Sequence, residues 1–403
     1  MNARNTLIAI SLLLSNPISM PAWADDGRHF PQAVTFSTLI TTPHNIEGLT
    51  GDDRGNLYTA ARDVAGGGMC PVWRINIENP SLVVVGYLPP TQFPLGSPRG
   101  LAFDHAGKLF ITDRDKIYSL FPDAEHPPVA NLFASGVPGT DGVAFDRDGN
   151  LWTGDGATGQ GRVWKITPQG AVTEVFRVQA MANDVTDPPH RSGFGGVGRA
   201  ISTAPEAIVS LNVFELRSRY LGNTAGSQPV VANGLAFDKD GDLFVADTAR
   251  GAIWKAKFDR QGNLRSGTGC DTTFPANTLC LENLLVSHPL LEGADGIALD
   301  EGGNLWVSVG ERNAVVAVTH KRKVIEVFRN EPDAVTRRRN LGPLEFPTSP
   351  FLSDSRFCTA NSDEARRDNS PSDGGEIRFG QPKGKISCID QRLSVPGMPL
   401  PVR

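Results

Sequence analysis

Five polar or charged residues share one position, directly in front of a glycine that opens a similar segment each time. They are Glu47, Arg99, Asp141, Asn233 and Asp295. If the fold brings them together, three carboxylates and one amide converge, and the carboxylates raise one another's pKa unless a cation neutralises them. Such oxygen donors suit a hard divalent cation, calcium first and magnesium second, with Mn²⁺ or Zn²⁺ left open. We interpret Glu47, Asn233 and Asp295 as candidate metal ligands; the alternative is that each is a solvated turn residue.

The run DKDGD at 238–242 competes with Asn233 as the metal-binding feature of its segment. It resembles a calcium loop, but Gly241 falls too early and no Glu follows at the required distance. The flanking stretches GLAFD and DLFVAD alternate apolar with small or polar residues, which is typical of strands. The run is therefore predicted to be a hairpin turn, with Gly241 supplying the residue of positive φ.

The segments that carry these residues are copies of one repeat. They read IEGLTGDDRGNLYTAARD from Ile46, PRGLAFDHAGKLFITDRD from Pro98, TDGVAFDRDGNLWTGDG from Thr140, ANGLAFDKDGDLFVADT from Ala232 and ADGIALDEGGNLWVSVG from Ala294. A weaker sixth copy, PTSPFLSDSRFCTANSD, starts at Pro347. Each copy predicts a strand, a short turn and a second strand, at the spacing of propeller blades of about 40–50 residues. The prediction is an all-β, six-bladed β-propeller.

One gap between repeat starts is far longer than the others. The starts at Thr140 and Ala232 leave room for one blade and an insertion of about 180–230, between blades 3 and 4. We expect the insertion to cross one end of the propeller, with a short helix at 204–219. The alternative is a seventh blade that lacks the signature.

The chain ends predict export and closure of the propeller. Residues 1–24 have a basic start, a short apolar run and an A-x-A site, which indicates a secretory signal peptide. Residues 25–403 would then form one domain, in a periplasmic or secreted protein, with no membrane span. QAVTFSTLI (32–40) could supply the outer strand beside GKISCID (384–390).

Five cysteines follow the predicted signal peptide, and in an oxidising compartment some should pair. The first predicted pair is Cys270–Cys280 and the second is Cys358–Cys388, which leaves Cys70 over.

The charge pattern argues against nucleic acid or an anionic membrane as a partner, and we expect a small-molecule substrate. The net charge of −5 is mild and both signs are scattered, so no basic face for nucleic acid or anionic membrane is seen. The basic run TRRRN (336–340) is interpreted as a solvated turn, and the polar stretch SDEARRDNSPSDGGE (362–376) as an exposed hairpin loop. The sequence does not set the oligomeric state.

The repeats resemble those of the regucalcin/gluconolactonase (luciferin-regenerating enzyme) family of six-bladed propellers over nearly the whole mature chain. IEGLTGDDRGNLY is similar to the family's first Glu-Gly line, ANGLAFDKDGDLFVADT to its Asn-Gly-Leu blade, and ADGIALDEGGNLWVSVG to its Asp-Gly blade. FPTSPFLSDSRFCTAN resembles its closing line. The family often has Asn-Asp-Gly in the third blade, where this chain has Thr140-Asp141-Gly142, so one contact of the family is unmatched here.

The resemblance implies that Glu47, Asn233 and Asp295 bind a divalent cation in a lactone or ester hydrolase. The cation would polarise the substrate carbonyl, and a carboxylate, Asp295 before Asp141, would activate a water. Candidate substrate contacts are Arg99, Thr140, His190 and Arg191. Two alternatives remain: a non-enzymatic propeller that binds or scaffolds with a structural cation, and a different reaction at the same site, such as the condensation of strictosidine-synthase-like propellers.

Overall fold

Antiparallel β-strands make up almost all the regular structure of the described residues. The computed structural model describes residues 34–62, 64, 68–90, 97–179, 232–272, 274–364, 366–369 and 384–398. The predicted signal peptide, the insertion with its helix, His190 and Arg191 all lie outside these ranges. Within them, the only helical elements are short 3-10 turns, Leu281–Asn283, Pro289–Leu291 and Gly310–Arg312.

Twenty-five strands follow one another along the described chain. They are β1 Phe36–Thr42, β2 Asn45–Ile46, β3 Thr50–Gly51, β4 Asn56–Arg62, β5 Cys70–Asn76, β6 Val83–Leu88, β7 Pro98–Phe103, β8 Leu109–Asp113, β9 Lys116–Leu120, β10 Asn131–Ser135, β11 Thr140–Phe145, β12 Leu151–Asp155, β13 Arg162–Ile166, β14 Val172–Arg177, β15 Leu235–Phe237, β16 Leu243–Asp247, β17 Ala252–Ala256, β18 Leu284–Ser287, β19 Ala294–Leu299, β20 Leu305–Val309, β21 Ala314–Val318, β22 Val324–Arg329, β23 Pro347–Ser353, β24 Arg356–Asn361 and β25 Gly384–Ile389.

These strands form six antiparallel sheets, one for each predicted repeat, which confirms the six-bladed β-propeller. In blades 2 to 5 the strands run from the innermost to the outermost in chain order: β7 to β10, β11 to β14, β15 to β18 and β19 to β22. Blade 1 holds β2 and β3 on the inner side of β4, followed by β5 and β6. Short strands joined by tight turns favour such sheets because each strand pairs most readily with its neighbours in sequence.

The sixth blade joins the two ends of the chain. Its order is β1-β25-β24-β23, so a strand from the start of the chain forms the outer edge of the last blade. Phe36 pairs with Ile389 and Thr42 with Gly384, which confirms the closure predicted from the sequence. This pairing ties the first blade to the last and leaves no gap in the circle.

The run 238–242 is a turn, as predicted. It joins β15 to β16, and Gly241 has φ of +88°. The Asp238 carboxylate accepts hydrogen bonds from the backbone nitrogens of Asp240 and Asp242, both at 2.9 Å. Lys255 Nζ lies 3.1 Å from Asp238 Oδ2 and 3.0 Å from Asp242 Oδ2. A lysine therefore neutralises the carboxylates that resemble a calcium loop.

The same turn recurs in other blades, including blades 3 and 5, and explains the D-x-x-G-N spacing of the repeat. Asp300 Oδ1 accepts from the backbone nitrogen of Asn304 at 2.9 Å, and Oδ2 accepts from the Asn304 amide at 2.9 Å and Trp306 Nε1 at 3.0 Å. Asp146 makes the equivalent bonds to Asn150 and Trp152. The aspartate thus closes the hairpin and fixes the aromatic residue in the blade.

Asp300→Ala is expected to lower the free energy of unfolding by about 3 kcal/mol, because it leaves the buried Asn304 amide and Trp306 indole without their acceptor. Asp300 itself is 1% exposed. Urea unfolding followed by fluorescence measures the change. Asp259→Ala is the control, since Asp259 makes the same turn to Asn263 nearer the surface. Equal losses in the two variants would contradict the argument from burial.

Both predicted disulfides are present. Cys270 bonds to Cys280 and Cys358 to Cys388, and Cys70 takes part in neither. Cys358 and Cys388 are direct cross-strand partners in β24 and β25. No helix in the described ranges is both long and apolar enough to cross a bilayer.

The expectation of an exposed polar loop at 362–376 is wrong for the residues that can be described there. Ser362, Asp363 and Asn369 are 1%, 6% and 0% exposed. The backbone nitrogens of Ser362 and Asp363 donate to the carbonyls of Phe346 and Glu345. These bonds hold the segment against the end of the propeller, and its charged side chains pair within the protein.

Candidate functional site

The five residues that precede the repeat glycines do converge, together with a sixth that the sequence reasoning did not assign. The innermost strands of the six blades contact one another in a closed ring: β3, β7, β11, β15, β19 and β23. We call the residues at their starts the mouth ring, and they are Glu47, Arg99, Asp141, Asn233, Asp295 and Thr348. All except Arg99 are at least nine-tenths buried.

An irregularity in the innermost strands displaces each ring residue from regular pairing. The register shifts between Pro98 and Leu101, between Thr140 and Val143, and between Ala294 and Ile297. Glu47 and Asn233 fall outside regular strands, between β2 and β3 and just before β15. A bulge breaks the alternation of side chains and re-aims the extra residue, which explains why one position per blade can point into the mouth.

The repeat glycine is needed because neighbouring blades approach closely at this point. A Cβ atom at Gly234 would lie 2.6 Å from the carbonyl oxygen of Asp295, and one at Gly142 would lie 2.8 Å from that of Asn233. Only glycine fits such contacts. Each glycine therefore fixes the distance from its own ring residue to that of the next blade.

Thr348 occupies the sixth position of the ring. The register of β23 shifts between Pro347 and Pro350, as in the other blades, and Thr348 Oγ1 donates to the carbonyl oxygen of Glu47 at 2.6 Å. This bond joins blade 6 to blade 1. The stretch FPTSPF contains this position, but Ser349 follows Thr348 where the other repeats have glycine. The repeat pattern therefore does not mark Thr348 as a ring residue.

Two arginines neutralise two of the carboxylates in the mouth. Arg99 Nη1 donates to Asp141 Oδ2 at 2.6 Å. Arg62, at the end of β4, forms an ion pair with Glu47 Oε2 and lies 3.4 Å from Glu364 Oε1. Arg62 and Glu364 were not predicted, since both come from outside the repeat glycine lines. Arg99 Nε also lies 3.9 Å from Glu47 Oε2.

Asp295 has no such cation. It is 4% exposed, and no basic side chain among the described residues lies within ion-pair distance of its carboxylate. Burial raises the pKa of Asp295 well above its ordinary value, and the neighbouring carboxylates of Asp141 and Glu47 raise it further. A buried carboxylate of this kind is stable only when it is protonated or when a cation joins it.

The pKa of Asp141 lies near neutrality because burial and a neighbouring carboxylate raise it while an arginine lowers it. Burial raises the pKa of Asp141 to about 7, with Arg99 lowering it and Glu47 raising it. Burial works against the charged form of Arg99, but Asp141 and Glu47 outweigh it and hold the pKa of Arg99 above its ordinary value. Asp141 can therefore exchange a proton at neutral pH while Arg99 stays charged.

The side-chain amide of Asn233 is hydrogen-bonded through its nitrogen and not through its oxygen. Its Nδ2 donates to Thr248 Oγ1 at 3.1 Å, and Thr248 Oγ1 donates to the carbonyl oxygen of Ala294 at 2.5 Å. Asn233 Oδ1 makes no hydrogen bond to the described residues, although Asn233 is only 4% exposed. The amide is thus oriented so that a carbonyl-type oxygen is available beside the carboxylates of the mouth.

The donor set fits an oxygen-ligated divalent cation. Among the described residues, Asp295 lacks a counter-ion and Asn233 Oδ1 lacks a donor, and Glu47 is a further buried carboxylate in the same ring. The described residues contain no group of three His, Cys, Asp or Glu arranged to hold a metal. Any such site would therefore combine the Asn233 amide with two carboxylates, as predicted, while Arg62 competes for one of them.

Two of the predicted substrate contacts, Arg99 and Thr140, lie among the described residues, and both already have partners within the protein. Arg99 lies in the ring and is occupied by Asp141. Thr140 is fully buried, and both its backbone nitrogen and its hydroxyl donate to the carbonyl oxygen of Arg114, so its hydroxyl is already committed.

Residues 215–337 match the family model described as the SMP-30/Gluconolactonase/LRE-like region. The matched range contains Asn233 and Asp295. No curated protein matches the chain.

Solved structures are similar in fold. A luciferin-regenerating enzyme is 13% identical, with a TM-score of 0.54, over 91% of this chain and 98% of that one. A regucalcin from Agrobacterium tumefaciens, described as a calcium-binding protein, is 16% identical, with a TM-score of 0.53, over 92% and 97%. The resemblance seen in the sequence is thereby confirmed: the chain is a six-bladed β-propeller that carries an SMP-30/gluconolactonase/LRE-like region.

Proposed function

We propose that the protein is an exported hydrolase of a lactone or related ester that depends on a divalent cation. The observation that carries the proposal is Asp295, a buried carboxylate with no described counter-ion, next to the free oxygen of Asn233. The match to a gluconolactonase-like region supports the reaction class. The two disulfides and the predicted signal peptide support export.

Glu47, Asn233 and Asp295 would hold the cation, with Ca²⁺ favoured because all three supply oxygen. When bound, the cation would polarise the substrate carbonyl and stabilise the negative charge that develops on its oxygen. Mg²⁺, Mn²⁺ and Zn²⁺ are the other candidates, and the lack of His or Cys in the mouth ring makes Zn²⁺ the least suited of these.

A carboxylate of the ring takes the proton from the attacking water, Asp295 first and Asp141 as the alternative. The water oxygen bonds to the carbonyl carbon, the ester C–O bond breaks, and the proton passes to the leaving alkoxide to give the hydroxy acid. Arg99 keeps part of Asp141 ionised at neutral pH, so that it can accept a proton. Burial of the ring excludes bulk water and strengthens these charge interactions.

We expect the side chains in and around the mouth ring to select the substrate. Arg99 is the nearest charged candidate, since it lies in the mouth and is held by Asp141. Thr140, His190 and Arg191 stay proposals that rest on the sequence. Arg62 adds a second guanidinium beside Glu47, within the same mouth.

Hydrolysis of a panel of lactones, followed with a pH indicator, tests the proposal. We expect turnover of at least one lactone, its loss in EDTA, and its recovery when calcium is added back. Because the panel compares ring size and substituents, the same assay ranks substrates. Absence of turnover on every lactone, with the protein folded and calcium bound, would refute the hydrolase.

A non-enzymatic propeller with a structural cation is the second candidate. The observation that favours it is the pairing of Glu47 with Arg62 and of Asp141 with Arg99, since ion pairs that are already satisfied can serve stability alone. In that case EDTA would lower the melting temperature without any hydrolysis to lose.

A further inference from the structure

Three arginines contact one aspartate at the rim of the propeller, outside the mouth ring, and a fourth arginine lies beside them. We call the four the arginine cluster: Arg329, Arg339 and Arg367, which contact Asp368, and Arg312. Arg312 ends the 3-10 turn after β20, Arg329 ends β22, and Arg339 lies between β22 and β23. Because Ala294 pairs with Val309, directly before that turn, the cluster lies at the same end of the propeller as the mouth ring.

The cluster places three guanidinium groups on one carboxylate. Arg329 Nη2 lies 2.6 Å from Asp368 Oδ2, and Arg367 Nε lies 2.9 Å from Asp368 Oδ1. Arg339 Nε is 3.9 Å from Asp368 Oδ2, and its backbone nitrogen donates to the Asp368 carbonyl at 2.8 Å. A single negative charge is therefore shared among three positive ones.

Arg312 adds a fourth positive charge beneath them. Its Nη2 lies 2.7 Å from Glu326 Oε2, while its Nε is buried and has no hydrogen-bond acceptor among the described residues. Burial, Arg329 and Arg367 lower the pKa of Arg312 despite Glu326. Burial and Arg329 likewise lower the pKa of Arg339, more than Asp368 and Glu331 raise it. Arg367 Nη1 also lies 4.0 Å from Glu292 Oε2. Three carboxylates, those of Asp368, Glu326 and Glu292, therefore lie within ion-pair distance of the four arginines, which leaves one positive charge in excess.

Two of the four arginine side chains are partly exposed to solvent. The side chains of Arg329 and Arg339 are 20% and 23% exposed, whereas those of Arg312 and Arg367 are 9% exposed. The buried pair anchors the cluster, and the partly exposed pair provides the part that a solute could contact. The planar guanidinium presents paired donors that match the oxygens of a carboxylate or a phosphate.

We propose that the arginine cluster is a binding site for a small oxyanion, the carboxylate or phosphate group of a solute. Asp368 already shows that the guanidinium groups of Arg329, Arg339 and Arg367 converge on carboxylate oxygens. The basic run TRRRN, interpreted from the sequence as a solvated turn, supplies Arg339 to this site. The inference does not rest on the proposed hydrolase, because neither a cation nor catalysis enters it.

Isothermal titration calorimetry on the full chain in low salt tests the site, with inorganic phosphate and succinate as probes. We expect saturable binding of at least one probe, weaker in added salt. Arg339→Gln and Arg312→Gln are expected to weaken it at least about tenfold, since each removes a charge-assisted donor. Phosphate binding alone would indicate a phosphate ligand, and succinate binding alone a carboxylate.

Arg322→Gln is the matched control, because Arg322 is exposed in the turn between β21 and β22 of the same blade. Circular dichroism establishes that each variant is folded. If Arg312→Gln does not fold, the anion affinity of Arg339→Gln tests the site, since Arg339 is only partly buried. No saturable binding to the unchanged protein, or equal losses in Arg339→Gln and Arg322→Gln, would show that the cluster only tethers the segment 366–369 to blade 5.

Discussion

Asp295→Asn is expected to bind Ca²⁺ at least about tenfold more weakly and to hydrolyse its best lactone about 10²–10³ times more slowly. The change keeps size and shape but removes the charge of the one ring carboxylate that lacks a described counter-ion. An amide oxygen can still bind a metal, but it adds no charge and cannot accept a proton from water at neutral pH. Affinity and turnover should therefore fall together.

Calorimetric titration with Ca²⁺ and the lactone assay measure the two effects separately. Asp115→Asn is the control, since Asp115 is an exposed carboxylate between β8 and β9 at the same end of the propeller. Loss of turnover with unchanged affinity would make Asp295 a base but not a ligand. Full turnover in Asp295→Asn would exclude both roles and transfer the proton step to Asp141.

The repeat made the architecture and most of the mouth ring predictable. Its glycine is required by the contact between blades, as Gly234 shows against Asp295, so the sequence marks the point where neighbouring blades meet. The residue before each glycine then falls in the bulge that points into the mouth. The same motif therefore predicts both where neighbouring blades pack and where the polar side chains lie.

The partners of the ring were not predictable, because they lie outside the motif. Arg62 comes from the far end of β4, and Glu364 follows β24 in a stretch whose polarity indicated an exposed loop. Polar composition indicates solvent exposure only when the charges are not satisfied by one another. Here they are paired, so the same composition forms a buried rim. Thr348 was missed for a simpler reason, the substitution of its glycine by serine.

Without a divalent cation, the protein is expected to lose stability as the pH rises from about 4 to about 7. The native pKa of Asp141, about 7, is raised above the ordinary value of 3.8 by burial and then by Glu47, against Arg99. The unfolded chain loses this proton at lower pH than the folded chain does. The stability that the protonated form provides is therefore lost between about pH 4 and pH 7, a decrease of up to about 4 kcal/mol. The raised pKa of Asp295 acts in the same direction.

Urea unfolding in EDTA across this pH range measures the decrease. Asp141→Asn should reduce it to the part that Asp295 contributes, while Asp115→Asn should leave it unchanged. Carboxylates with lowered pKa, such as Asp52 and Glu174, lose their contribution only at more acidic pH, below this window. Added Ca²⁺ should stabilise the protein most at pH 8, where the ring carboxylates are ionised and repel one another. Stability in EDTA that stays constant or rises towards pH 8 would mean that the described arginines already neutralise the mouth, and that no cation is needed there.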